Sequence, residues 1–133
     1  MRDIKFRGKS KETGEWIYGG IAFGGEEFNN TVYITNPKYD GEQVYWMYEV
    51  NPETVGQYTG RKDEDRQEIY EGDMVEFTYA SINFTRRVVG TVKFKKGAYY
   101  VFFHQRQRLL RECSEIKVIG NEKENPELLK EDD

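Results

Sequence analysis

The residue types that carry acid–base, nucleophilic or metal chemistry are scarce in this chain. His104 is the single histidine and Cys113 the single cysteine. A Ser/His/Asp or Cys/His relay needs an imidazole in reach of a carboxylate and a nucleophile, and His104 stands between Phe103 and Gln105 in a stretch without acids. Cys113 is flanked by Glu112, Ser114 and Glu115, neighbours that do not lower a thiol pKa, so an unreactive thiol is expected. The acidic run Asp63-Glu64-Asp65 with Glu68, Glu71 and Asp73 is rich in oxygen ligands. It lacks the glycine that a calcium loop needs at its sixth position, and a solvated loop is expected instead. The glycine pairs Gly19-Gly20 and Gly24-Gly25 have no strand-to-helix context that would make them a phosphate cradle. The reading is therefore of a protein that is not an enzyme, with no catalytic residue, no metal site and no cofactor.

Charge distribution is more informative. The formal net charge is -4, but residues 77–111 carry Arg86, Arg87, Lys93, Lys95, Lys96, Arg106, Arg108 and Arg111 with no acid among them. Residues 1–76 hold 9 Lys/Arg against 16 Asp/Glu, and residues 112–133 hold 3 against 8. A carboxylate-free stretch in an acidic chain either binds an anionic partner or pairs with acidic segments of its own or a neighbouring chain. Within it, Arg87, Lys93, Lys95 and Lys96 lie close in sequence to Tyr100, Phe102 and His104. Cations that neutralise phosphates beside rings that stack on bases form a platform for single-stranded nucleic acid. The competing readings are that this face is covered by the N-terminal half, or by a protein partner or second copy of the chain.

These side chains are positioned by strands. Val88, Gly90, Val92 and Phe94 alternate with Arg87, Val89, Thr91, Lys93 and Lys95, and Lys95-Lys96-Gly97-Ala98 is a turn. Phe94 then faces Tyr99, Val92 faces Val101 and Gly90 faces Phe103 on the inner side. Lys93 faces Tyr100, Thr91 faces Phe102 and Val89 faces His104 outside. Upstream, Val75, Phe77 and Tyr79 alternate in a strand opened by Gly72-Asp73, and Ile116 and Val118 mark the last strand, ended by Gly120-Asn121. In the N-terminal half, Ile4 and Phe6 pair with Trp16-Ile17-Tyr18 across a turn closed by Gly14. Short strands follow at residues 21–23, 31–35 and 44–50, with stops at Asn36-Pro37 and Asp40-Gly41. Asn51-Pro52-Glu53-Thr54 reads as one capped helical turn. The polar segment 59–67 reads as the connection between two regions. Asn125-Pro126-Glu127-Leu128-Leu129 can begin a short helix before an acidic end that frays.

Tyr 10, Phe 8 and Trp 2 outweigh a sparse aliphatic content, which favours strands. No run approaches the roughly 20 apolar residues of a membrane span, Met1-Arg2-Asp3-Ile4-Lys5 is charged where a secretory signal is apolar, and one cysteine closes no internal disulfide. A cytoplasmic location, with no membrane association, is expected.

Several words resemble the YopX family, small proteins encoded by bacteriophages and by prophages. They are Ile4-Lys5-Phe6-Arg7, Lys11-Glu12-Thr13-Gly14, Pro52-Glu53-Thr54-Val55-Gly56-Gln57-Tyr58-Thr59-Gly60, Glu68-Ile69-Tyr70-Glu71-Gly72-Asp73-Met74-Val75, and Val118-Ile119-Gly120-Asn121 with Asn125-Pro126-Glu127-Leu128. They occur in the family's order. Between Asp63 and Glu68, where the family commonly has an Asn-Gly turn, this chain has Glu64-Asp65-Arg66-Gln67. The resemblance implies a mainly β chain whose C-terminal part is an SH3-like small β-barrel, and it implies no known reaction or functional residue. The combined expectation is an N-terminal β region, residues 1–60, packed on an SH3-like barrel, residues 61–121, with an acidic tail, residues 122–133, and little helix. Its function is then that of a phage-type accessory protein in a bacterial host, binding a macromolecule or itself, with nucleic acid at the 86–104 hairpin as the alternative.

Overall fold

The computed structural model describes residues 3–26, 30–37 and 45–128. The protein is mainly β, with two antiparallel sheets. The chain divides into two compact units, Met1–Tyr58 and Thr59–Asp133.

In the first unit, β1 (Phe6–Lys9) and β2 (Trp16–Phe23) form the expected hairpin, with Phe6 opposite Gly19 and Lys9 opposite Trp16. Gly19-Gly20 does not end β2. The strand runs unbroken to Phe23 because Gly20 to Phe23 pair with β3 (Val32–Pro37), which in turn pairs with β4 (Tyr45–Val50). The expected stop at Asn36-Pro37 is likewise overridden, since both residues pair with β4. The Asp40-Gly41 turn lies outside the described residues. Val32, Ile34 and Val50 form a small buried core, closed by Phe6, Ile17, Ile21 and Val55. Asn51 caps a 3₁₀ turn at Pro52–Thr54 as its sequence predicts, the side chain accepting the Glu53 N–H at 3.1 Å. Thr54 Oγ1 accepts the Lys9 N–H at 2.8 Å, which fastens that turn to β1.

β5 (Gly56–Lys62) begins in the first unit, where Gly56 and Gln57 pair with β1, and finishes in the second beside β6 (Glu68–Tyr70). The polar segment read as a connection is strand as far as Lys62, and residues 63–67 turn the chain. The turn is solvated at residues 64–67, as expected, but Asp63 is an exception. Asp63 is buried; its Oδ1 accepts the N–H groups of Asp65 at 2.8 Å and Gln67 at 2.9 Å, and its Oδ2 accepts that of Val118 at 3.0 Å. A carboxylate with three donors of its own is locked to backbone rather than offered to a cation. Arg66 sits in the left-handed region at φ 68, at the turn where the resembling family carries Asn-Gly.

The second sheet runs β10-β9-β8-β7-β11. Its strands are β7 (Asp73–Ala80), β8 (Thr85–Lys95), β9 (Ala98–Phe103), β10 (Arg106–Leu109) and β11 (Ser114–Asn121), with a 3₁₀ turn at Leu110–Glu112 before the last. Among the described residues no ladder joins the edge strands β10 and β11, so the sheet is not a closed barrel. β10 is a strand that the sequence reading lacked. Val75, Phe77, Val88, Val92, Val101, Phe103, Leu110 and Ile116 are buried on one side. Phe77 meets Phe103 edge-on, centroids 5.1 Å apart. Beyond β11, residues 126–128 form a 3₁₀ turn, in keeping with the short helix expected from Asn125.

Two substitutions at the 63–67 turn should act in opposite directions, measured by denaturant unfolding. Asp63→Ala strands three backbone donors and should cost about 2–4 kcal/mol. Arg66→Gly removes a left-handed non-glycine residue from an exposed site and should add about 1 kcal/mol.

Candidate functional site

The register that places the basic and aromatic side chains is the one predicted. Phe94 pairs with Tyr99, Lys93 with Tyr100, Val92 with Val101 and Thr91 with Phe102. Lys96 and Gly97, at φ 50 and 81, make the two-residue turn that fixes this pairing. Phe94 shares the inner face but lies past the core, 48% exposed, its ring 5.1 Å from that of Tyr99. The ladder ends sooner than expected. His104 and Gln105, at φ 45 and 61, form a second two-residue turn into β10, where Phe103 pairs with Arg106. His104 is therefore a turn residue and does not stand opposite Val89 on a strand.

The outer face is built in rows across three strands. Thr91, Phe102 and Gln107 form one row, and Lys93, Tyr100 and Leu109 the next. Lys95 Nζ lies 5.5 Å from the centre of the Phe102 ring and 3.3 Å from Gln107 Oε1. Tyr100 packs against Phe102 at 6.2 Å. Lys93 Nζ is 3.5 Å from Glu122 Oε2. These strands line an open groove of about 1010 Å³ whose walls include Lys93, Lys95, Phe102, His104, Arg106, Gln107 and Glu122.

Four of the seven residues singled out from sequence, Lys93, Lys95, Phe102 and His104, thus come together in one groove. Three do not. Arg87 is drawn toward β7 and β11: its Nε donates to Glu76 Oε1 at 3.1 Å and its Nη1 to the Glu115 carbonyl at 2.5 Å. Lys96 is at the exposed hairpin turn, and Tyr100 supports Phe102 without lining the groove. Arg106 and Gln107 were missed because β10 has no apolar alternation and its preceding turn has no glycine, and Glu122, just past β11, because it is brought to Lys93 from far away in sequence. Of the eight cations in residues 77–111, Arg87 and Lys93 have a carboxylate at ion-pairing distance among the described residues, and the other six do not. Exposed pairs of this kind are worth about 0–1 kcal/mol each, so internal pairing neutralises little of the stretch.

Among the described residues no cluster of three or more His, Cys, Asp or Glu side chains is placed to hold a metal ion. Among the same residues no helix is long and apolar enough to cross a membrane. Cys113 follows the 3₁₀ turn and is buried. Burial pushes its thiol up from 9.0 to about 11, against the pull of Arg61 and Arg108 and with a smaller push from Glu112. The thiol is suppressed by desolvation first; the adjacent acids noted in the sequence are a minor cause. Arg61, remote in sequence, reaches the carbonyls of both Leu110 and Cys113.

A thiol that holds its proton more tightly when folded supports stability below its unfolded value and withdraws that support as pH climbs to the folded one. Native protein should lose about 2–3 kcal/mol of stability relative to Cys113→Ala between pH 9 and pH 11, read as the difference between their urea midpoints. A difference that is flat with pH contradicts the buried-thiol account.

Comparison with known proteins agrees with this architecture. No curated protein matches the chain. Among solved structures, protein EF1440 from Enterococcus faecalis is similar over 97% of this chain and 99% of its own, with a TM-score of 0.55 and 22% identity, a likeness of fold. The family model described as YopX protein matches residues 5–130, the span over which the sequence words and both sheets are laid out, and the chain belongs to the YopX family.

Proposed function

We propose that this protein is a non-enzymatic accessory factor of phage or prophage origin, acting in the bacterial cytoplasm by binding single-stranded nucleic acid along the outer face of β8, β9 and β10. The observation that carries this reading is the groove in which Lys95 is stacked over Phe102 while Lys93, His104 and Arg106 line the same walls. A lysine beside a ring sets a charge for a phosphate next to a ring face on which a base can stack, and neither contact requires a particular sequence. Among the described residues Glu122 is the one carboxylate lining the groove, and its 3.5 Å pairing with Lys93 is weak enough to exchange for a phosphate.

The topology supports the choice of scaffold. A four-strand meander, a 3₁₀ turn and a fifth strand returning beside the first favour an SH3-like reading of this sheet, with open edges in place of a closed barrel. Small β modules of this kind bind through one sheet face and the loops at its rim.

Fluorescence anisotropy with single-stranded DNA and RNA oligomers at several salt concentrations tests the reading. Saturable binding should tighten as salt falls, and Lys93→Glu with Lys95→Glu should weaken it by roughly tenfold or more and flatten the salt slope by about two. Glu122→Gln should tighten it. No binding at low salt removes the proposal, as does binding indifferent to both lysines. If light scattering then shows a dimer growing with concentration, the face belongs to a second copy of the chain.

A further inference from the structure

A second cluster stands at the far end of β8 from Lys95. Tyr79 has two guanidinium groups near its ring: Arg106 and Arg108 each place Cζ 5.8 Å from its centre. Arg106 Nη1 also donates to Tyr79 Oη at 2.6 Å. Phe84 lies 6.2 Å from Tyr79, and Arg86 sits over Phe84 at 5.4 Å. Tyr79 is anchored from below by Phe103, edge-on at 5.3 Å.

Three features of this cluster lack an internal explanation. Among the described residues none of Arg86, Arg106 and Arg108 has a carboxylate at ion-pairing distance, so three cations converge without counter-charge. Arg108 Nε is buried with no hydrogen-bond partner among those residues. At the adjoining β7–β8 tip, Phe84 is 46% exposed and Ile82 98% exposed. Converging guanidinium groups and an exposed ring are complementary to a phosphodiester carrying planar bases, and unlike a simple anion site they include a stacking surface.

Arg106 belongs to both places, lining the groove and bonding Tyr79. From Lys95 to Arg86, β8 spans about 30 Å at strand rise. The groove lies on the outer face while Tyr79, Arg86, Arg106 and Arg108 occupy positions of the inner one, so a nucleic-acid strand joining the two sites rounds the sheet edge at the His104-Gln105 turn, where Arg106 serves both. We infer that Tyr79, Phe84, Arg86, Arg106 and Arg108 form a second subsite for the same single-stranded nucleic acid, stacking a base on Phe84 and holding the flanking phosphates. This inference rests on the groove reading above and extends it from a short contact to a strand-length one.

Oligomer length separates the two. An oligothymidylate of about 4 nucleotides fills the groove alone, and one of about 12 reaches both sites, within the span that small β modules cover. The longer oligomer should bind at least tenfold more tightly. Phe84→Ala and, separately, Arg86→Glu, both exposed and expected to fold, should abolish that advantage while leaving affinity for the short oligomer unchanged; near-UV circular dichroism checks the fold. A 4-thiouridine RNA of the longer length should crosslink to Phe84 or Tyr79. If length brings no gain, or the gain survives both substitutions, the second subsite is wrong while the groove stands, provided the short oligomer still depends on Lys93 and Lys95. If neither oligomer binds, the groove reading fails and this inference with it.

Discussion

The pairing of β8 with β9 is the constraint on which the second unit rests. Two residues, Lys96 and Gly97, turn the chain with both in the left-handed region, and that geometry leaves Phe94 no partner but Tyr99. From that pair every later row follows. Val92 meets Val101 inside the core while Lys93 meets Tyr100 outside it, and a slip of one residue would exchange the lysines with the valines. Gly90 enforces the same register from the other end. A Cβ there would lie 2.5 Å from Val101 Cγ1 and 2.7 Å from the Phe102 carbonyl, so the strands approach at this point only because no side chain intervenes. Core and groove are thus two faces of one ladder, and the chemistry of the groove depends on the packing behind it.

Electrostatics adds a second layer. The acidic totals on either side of residues 77–111 suggested that the basic stretch would be neutralised from within. In the second unit two of its carboxylates are committed to backbone: Asp63 serves three backbone donors, and Asp73 accepts the Tyr70 N–H at 2.8 Å. Only Glu76 and Glu122 meet the stretch among the described residues. Positive charge therefore persists on both faces of the β8–β10 ribbon, where exposed guanidinium and ammonium groups can interact at long range.

Much of this was legible in the linear chain where local chemistry is self-sufficient. The Asn51-Pro52-Glu53-Thr54 cap, the Lys96-Gly97 turn and the alternation in β7 and β8 each state their structure within a few residues. Asn121 illustrates the same economy, its side-chain oxygen accepting the N–H groups of Lys123 at 3.0 Å and Glu124 at 2.9 Å. Illegible were features whose cause lies far away in sequence. The strands expected at residues 16–18 and 21–23 are one, held extended across Gly19-Gly20 by β1 and β3. Arg106 to Leu109 has no apolar alternation and becomes a strand because β9 offers it an edge. His104-Gln105 is a turn without glycine, imposed by the hairpin rather than preferred by its residues.

What the amino-acid order determined by itself was the mainly β character, the β8–β9 register and the concentration of cations beside rings, because strand alternation and turn chemistry act over two to four residues. Tertiary structure decided which of those cations stay available. Arg87 was removed by Glu76 and the Glu115 carbonyl, Lys93 was shared with Glu122, and Arg106 and Arg108 were brought to Tyr79 from a strand the alternation does not reveal. The reason is that ion pairs and ring contacts act between side chains that only strand pairing brings within a few ångströms, and no local pattern encodes that distance.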